Sequence, residues 1–175
     1  MKKQIRRSCF ETNSSSTHAI CITKNDVDKT NLPNHVTFTH GEFGWEFDIH
    51  EDTLTKASYL YQAICGLYDN PEKQKNLDRI TGLLSQYGIF CEFEPSKGGS
   101  YWENGYIDHV HDTSDFVEAV LANSETLLRY LFGDSMIVTG NDNGDSFHDY
   151  MYEDDDWNSL LKSQFNNYEI YMKGN

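Results

Sequence analysis

Thr12-Asn13-Ser14-Ser15-Ser16-Thr17-His18, running directly into Ala19-Ile20-Cys21-Ile22-Thr23, is the stretch whose reading decides the fold. The first seven side chains are all polar and can all hydrogen-bond. The next five read as a core strand, with Ala19, Cys21 and Thr23 alternating against Ile20 and Ile22, so a strand is predicted over 18–24. A polar run set against a buried strand must either be solvated or satisfy its groups on something specific.

Working outward, Val36-Thr37-Phe38-Thr39 reads as a second strand and Trp45-Glu46-Phe47-Asp48-Ile49 as a third, close enough to form a hairpin. From Asp52 the period changes. Leu54, Ala57, Leu60, Tyr61, Ile64 and Leu67 recur at three and four, which predicts an amphipathic helix with Asp52 as its N-cap. Asn70-Pro71 ends that helix and starts another, which carries Leu77, Ile80, Leu83, Leu84 and Tyr87 and stops at Gly88. Residues 89–93 read as a fourth strand. The span 113–133 is helical, divided at Asn123-Ser124 with Ser124 as the second cap. Met136-Ile137-Val138 reads as a short strand, 139–156 as an acidic loop, 157–165 as a short helix and 168–172 as a closing strand. The sum is one α+β domain over 1–175, with a candidate sub-boundary at 95–105. Its sheet is mixed and mostly antiparallel, with helices chiefly on one face.

The chain has 175 residues, long enough for a real core, and its 14% aromatic content argues against disorder. No run approaches the length of a spanning helix, and the start lacks the apolar segment of a signal peptide. Four cysteines show no CxxC pair, so reduced thiols in a cytoplasmic protein are expected. The formal charge of −14 is unevenly spread: residues 1–99 carry 13 acids and 11 bases, whereas 100–175 carry 15 acids and only Arg129, Lys162 and Lys173. Such a C-terminal part repels nucleic acid and is attracted to basic surfaces, although acidity also serves solubility alone.

Several constellations carry candidate chemistry. The Ser14–Thr17 hydroxyls, with Arg6 and Arg7, suit phosphate, or else simply cap a turn. Cys9, His18 and Cys21 are candidate zinc ligands by type. Their spacing matches no named finger, and a regular strand would send His18 and Cys21 to opposite faces. His109 and His111 form an HxH pair. Asn141-Asp142-Asn143-Gly144-Asp145 hints at calcium but misses the EF-hand pattern. Gly133-Asp134-Ser135 leads into a strand rather than a helix and does not suit a serine hydrolase. Asp142, Asp145, Asp149, Glu153, Asp154, Asp155 and Asp156 together can imitate spaced phosphates and compete for Lys/Arg clefts, with Phe147, Tyr150, Tyr152 and Trp157 as anchors or as loop packing.

Phe10-Glu11-Thr12-Asn13-Ser14-Ser15-Ser16-Thr17-His18 resembles the N-terminal signature of a family of small phage and prophage proteins. Gly41-Glu42-Phe43-Gly44-Trp45-Glu46, and Tyr130-Leu131-Phe132-Gly133 running into Thr139-Gly140-Asn141-Asp142-Asn143, resemble the same family. Cys9 departs from it, since a small residue is expected there. The resemblance implies a site built from Glu11, Asn13, Ser14, Ser15, His18, Asn141 and Asp142. It implies a phage context rather than a reaction. Two expectations follow. One is an anti-CRISPR-type inhibitor, non-enzymatic and without direct nucleic-acid or membrane binding, that occupies a basic nucleic-acid cleft of a bacterial defence protein such as Cas9. The other is a small metal-assisted enzyme acting on a nucleotide or phosphorylated substrate through Glu11, Ser14, Ser15 and His18, with His18 as base or ligand.

Overall fold

A computed structural model describes residues 16–44, 46–67, 70–98, 104–108, 112–141, 145–152 and 162–174. Five α-helices and eight strands among them make an α+β fold. Its centre is a four-stranded antiparallel sheet, in which β1 (Ser16–Thr23) lies between β7 (Met136–Asn141) and β8 (Tyr168–Gly174), with β4 (Asp48–His50) outside β7. The expected first strand is therefore present and begins earlier, because Ser16 and Thr17 pair with Asn141 and Gly140.

β1 is buried on both faces. Ile20 and Ile22 join the larger apolar cluster with α1 (Thr53–Leu67), α3 (Ser114–Val120) and α4 (Ser124–Phe132). Ala19 and Cys21 face a smaller cluster built on Phe147 and Met151 of α5 (Asp145–Met151) and on Phe165. Four of the five helices thus contribute to the larger cluster or flank it, with α5 on the other face, as period-2 alternation in β1 requires.

α1 is the central helix. Asp52 caps it as expected, its carboxylate accepting from Thr55 N–H at 2.8 Å. Its burial is broader than an amphipathic stripe: residues 56 to 64 are all buried, whereas Leu54, expected inside, is 55% exposed. Lys56 is among the buried ones. Its ammonium donates to the carbonyls of Gly133 and Ser135, at 2.9 Å each, and so closes the C-terminal end of α4. α2 (Asn70–Ser85) buries Leu77, Ile80 and Leu84 at helical spacing, and Gly88 at φ 71° turns the chain into β5 (Phe90–Phe93).

Three local expectations are corrected. The hairpin of the second and third strands does not form. β2 (His35–Phe38) pairs in parallel with β5, the expected third strand is confined to β4, which pairs with β7, and Glu42–Phe43 ahead of it form a separate strand, β3. β3 pairs with β6 (Tyr106–Ile107), and the carbonyls of Gly41 and Phe43 accept from the amides of Tyr106 and Asp108 at 2.9 and 2.8 Å. Those bonds commit the segment after β2 to a distant partner. The cap of α4 is Asn123, whose side chain accepts from Thr126 N–H at 2.9 Å, not Ser124. Finally, 139–156 is not all loop: Thr139–Asn141 extend β7, and Phe147 and Met151, one turn apart, bury one face of α5. Most of the expected helix over 157–165 lies outside the described residues, which contain a 3-10 turn at Ser163–Phe165. The chain on both sides of 95–105 enters shared sheets, since β3 pairs with β6 and β1 with β7 and β8.

Candidate functional site

The sheet's larger-core face turns polar at one end. Register places Asp48 opposite Thr139, Thr139 opposite His18, and His18 opposite Lys173, so four strands contribute one polar row. Beyond it Ser16 lies opposite Asn141. Directly opposed residues share a face, so this end combines side chains from four segments far apart in sequence. Gly44 and Glu46 border it: Gly44 O accepts from His18, and Glu46 O accepts from the Thr139 hydroxyl at 2.8 Å. The three sequence segments quoted above for their resemblance therefore meet here, through His18, through Gly44 and Glu46, and through Thr139 and Asn141.

His18 is fully buried and held at both ring nitrogens. Its Nε2–H donates to Gly44 O at 3.0 Å, which leaves Nδ1 to accept from the Tyr59 hydroxyl at 3.0 Å. Burial pulls its pKa down to about 4, against the opposing influence of the Gly44 carbonyl. The imidazole is neutral at pH 7 and has no free lone pair. It cannot take a proton or a metal without giving up a buried hydrogen bond, so the general-base and ligand roles expected of it do not fit this geometry.

The zinc expectation fares no better on Cys21. That thiol lies on the opposite face of β1, buried, with its pKa pushed up to about 12 by desolvation. His18 and Cys21 therefore cannot share a coordination shell, and Cys9 lies outside the described residues. Among the described residues, no group of three or more His, Cys, Asp or Glu side chains is arranged to hold a metal ion.

Of the other expected site residues, Asn141 ends β7, half-buried and beside Ser16. Glu11, Asn13, Ser14, Ser15, Asp142, Glu153, Asp154, Asp155 and Asp156 lie outside the described residues, as do His109, His111 and Trp157. Asp145 opens α5, and Asp149 is exposed on it. Sequence reasoning missed Tyr59 and Lys173. Tyr59 sits beside the expected apolar stripe of α1; its ring packs against Phe43 and Phe116 in the larger core while its hydroxyl meets His18. Lys173, on β8, forms an ion pair with Asp115 at the start of α3.

The acidic excess after residue 100 has a structural counterpart. Asp112, Asp115, Glu118, Asp134, Asp149 and Glu169 are exposed. The three basic side chains of that segment are held within the fold. Arg129 pairs with Asp26 at 2.6 Å, Lys173 with Asp115, and Lys162 donates to the backbone carbonyl of Asp149. No family model, curated protein or solved structure matches the chain. Among the described residues, no helix is long and apolar enough to cross a membrane.

Proposed function

We propose that the protein is a phage-encoded, non-enzymatic inhibitor that binds the basic nucleic-acid cleft of a bacterial defence protein, a Cas9-type effector being the first candidate, in the host cytoplasm. One observation carries this reading: residues 100–175 hold 15 acids, and their only bases, Arg129, Lys162 and Lys173, are each engaged inside the chain. An acidic surface so little neutralised competes with DNA for Lys/Arg clefts by the same salt-sensitive electrostatics that hold DNA there. The resemblance to phage proteins supplies the context. The enzymatic alternative, acting on a nucleotide or phosphorylated substrate, is less favoured because His18, its proposed base, has both nitrogens occupied.

The test is a gel shift of target DNA by guide-loaded Cas9 at low and at moderate salt. Loss of the shifted band in the presence of the protein, weaker at moderate salt and weaker for an Asp154→Lys, Asp155→Lys, Asp156→Lys variant, is the expected result. Inhibition indifferent to both salt and charge reversal would exclude mimicry of DNA. No inhibition at all would remove Cas9 as the target.

A further inference from the structure

Among the described residues, β8 is the long open edge of the central sheet. It has seven residues, against three in β4 at the other edge, and no described element pairs with its outer side. Strand edges of this length are normally blunted by proline, a bulge, charged side chains or a covering element, because their unpaired amides and carbonyls recruit another strand. The charges of β8, Glu169 and Lys173, are of opposite sign. β8, Tyr168-Glu169-Ile170-Tyr171-Met172-Lys173-Gly174, contains no proline, and its register with β1 runs unbroken from Tyr168 to Gly174.

The hydrogen-bond parity of β8 fixes which groups are available. Lys24 N–H donates to Asn167 O at 2.9 Å, continuing the β1–β8 register by one residue. Residues 24 and 167 are therefore a hydrogen-bonded pair. Such pairs alternate in an antiparallel ladder, so Glu169, Tyr171 and Lys173 also turn their backbone groups toward β1. The N–H and C=O groups of Tyr168, Ile170, Met172 and Gly174 turn outward.

We infer that a second copy of this chain occupies that edge, pairing β8 with β8 antiparallel about a two-fold axis at Tyr171 and joining the two sheets into one of eight strands. The sequence of β8 is self-complementary in that register. Glu169 of one copy faces Lys173 of the other, and the reverse contact repeats it, as a two-fold interface requires. Ile170 faces Met172 as a hydrogen-bonded pair, with both residues directing their backbone groups outward as that pairing demands. Met172 is 36% exposed in the single chain, one of the few large apolar side chains that are, so pairing covers apolar surface as well as backbone. Glu169 is exposed, and its carboxylate oxygen accepts from the Tyr171 hydroxyl at 2.9 Å. Lys173, already paired with Asp115, would lie between two carboxylates. Sliding the register by two residues keeps the backbone parity but separates Glu169 from Lys173, so charge selects the register centred on Tyr171.

The test combines sedimentation equilibrium with hydrogen exchange resolved to single amides, on the wild-type chain from low to high micromolar concentration. The expected result is a rise in mass from 20.2 kDa toward twice that value. With it, exchange at the amides of Ile170 and Met172 should slow by about tenfold or more, while Glu169, Tyr171 and Lys173, already bonded to β1, should change little. Met172→Pro removes an outward N–H without touching the β1 ladder and should leave a monomer with native circular dichroism. Glu169→Lys sets like charges opposite each other and should weaken association about tenfold or more. A chain that stays monomeric across the range would overturn the proposal. So would a dimer in which the Ile170 and Met172 amides gain no protection.

Discussion

Acidification provides the sharpest test of the role assigned to His18. Its imidazole is fully buried, with Nε2–H on Gly44 O and Nδ1 receiving the Tyr59 hydroxyl, and its pKa lies at about 4 rather than 6.5. As pH falls below 6.5, the unfolded chain takes up this proton first, while the folded chain resists until about 4. The unfolded state therefore binds more protons throughout that window, and stability is lost as pH falls through it. A gap of this width corresponds to about 3 kcal/mol. The chain has 28 acidic residues, so its total acid response has many sources. The difference between wild type and His18→Gln isolates the one of interest. At pH 7 the variant should be less stable by roughly 1–3 kcal/mol, because an amide cannot reach both Gly44 O and the Tyr59 hydroxyl and one buried partner is left unsatisfied. Urea unfolding followed by tryptophan fluorescence, at intervals from pH 7 to 4.5, should show the advantage of wild type shrinking by roughly 2–3 kcal/mol. A difference that stays constant with pH, or a variant as stable as wild type at pH 7, would refute the assignment of a neutral, doubly bonded imidazole.

Three further predictions concern the frame around the site. Lys56→Met removes the donor shared by the Gly133 and Ser135 carbonyls and should cost roughly 3 kcal/mol in urea unfolding, whereas a change near zero would mean that water replaces the ammonium. Gly105→Ala places a Cβ 2.3 Å from Gly41 O at a residue with φ 74°, so thermal unfolding should report a loss of about 2 kcal/mol or more, traceable to the β3–β6 pair. Cys21, with its thiol buried and its pKa raised to about 12, should resist a thiol reagent in the native protein and react on unfolding, whereas rapid native labelling would place it near solvent.

The sequence by itself determined the elements whose periodicity is undisturbed. β1 was legible because small and β-branched residues alternate over 19–23, and α2 because Leu77, Ile80 and Leu84 recur at helical spacing on an otherwise polar background. The separation of His18 from Cys21 also followed from the period of a strand alone. α5 was hidden because its apolar signal is only Phe147 and Met151 among acids, and seven residues give too few turns for the pattern to show. Tertiary structure decided strand pairing, and with it the site. Nothing local indicates that the Gly41 and Phe43 carbonyls bind residues 106–108 instead of folding back on β2, because backbone groups are chemically alike and their partners are selected by packing. For the same reason His18 read as a free base in the sequence. An imidazole has the same chemistry until its two nitrogens find partners, and here these come from α1 and from the segment before β4. Net charge was set by composition. That Arg129 pairs with Asp26 and Lys162 donates to the Asp149 carbonyl, whereas Lys173 meets an acid of its own segment, Asp115, could be seen only once the fold had placed these groups together.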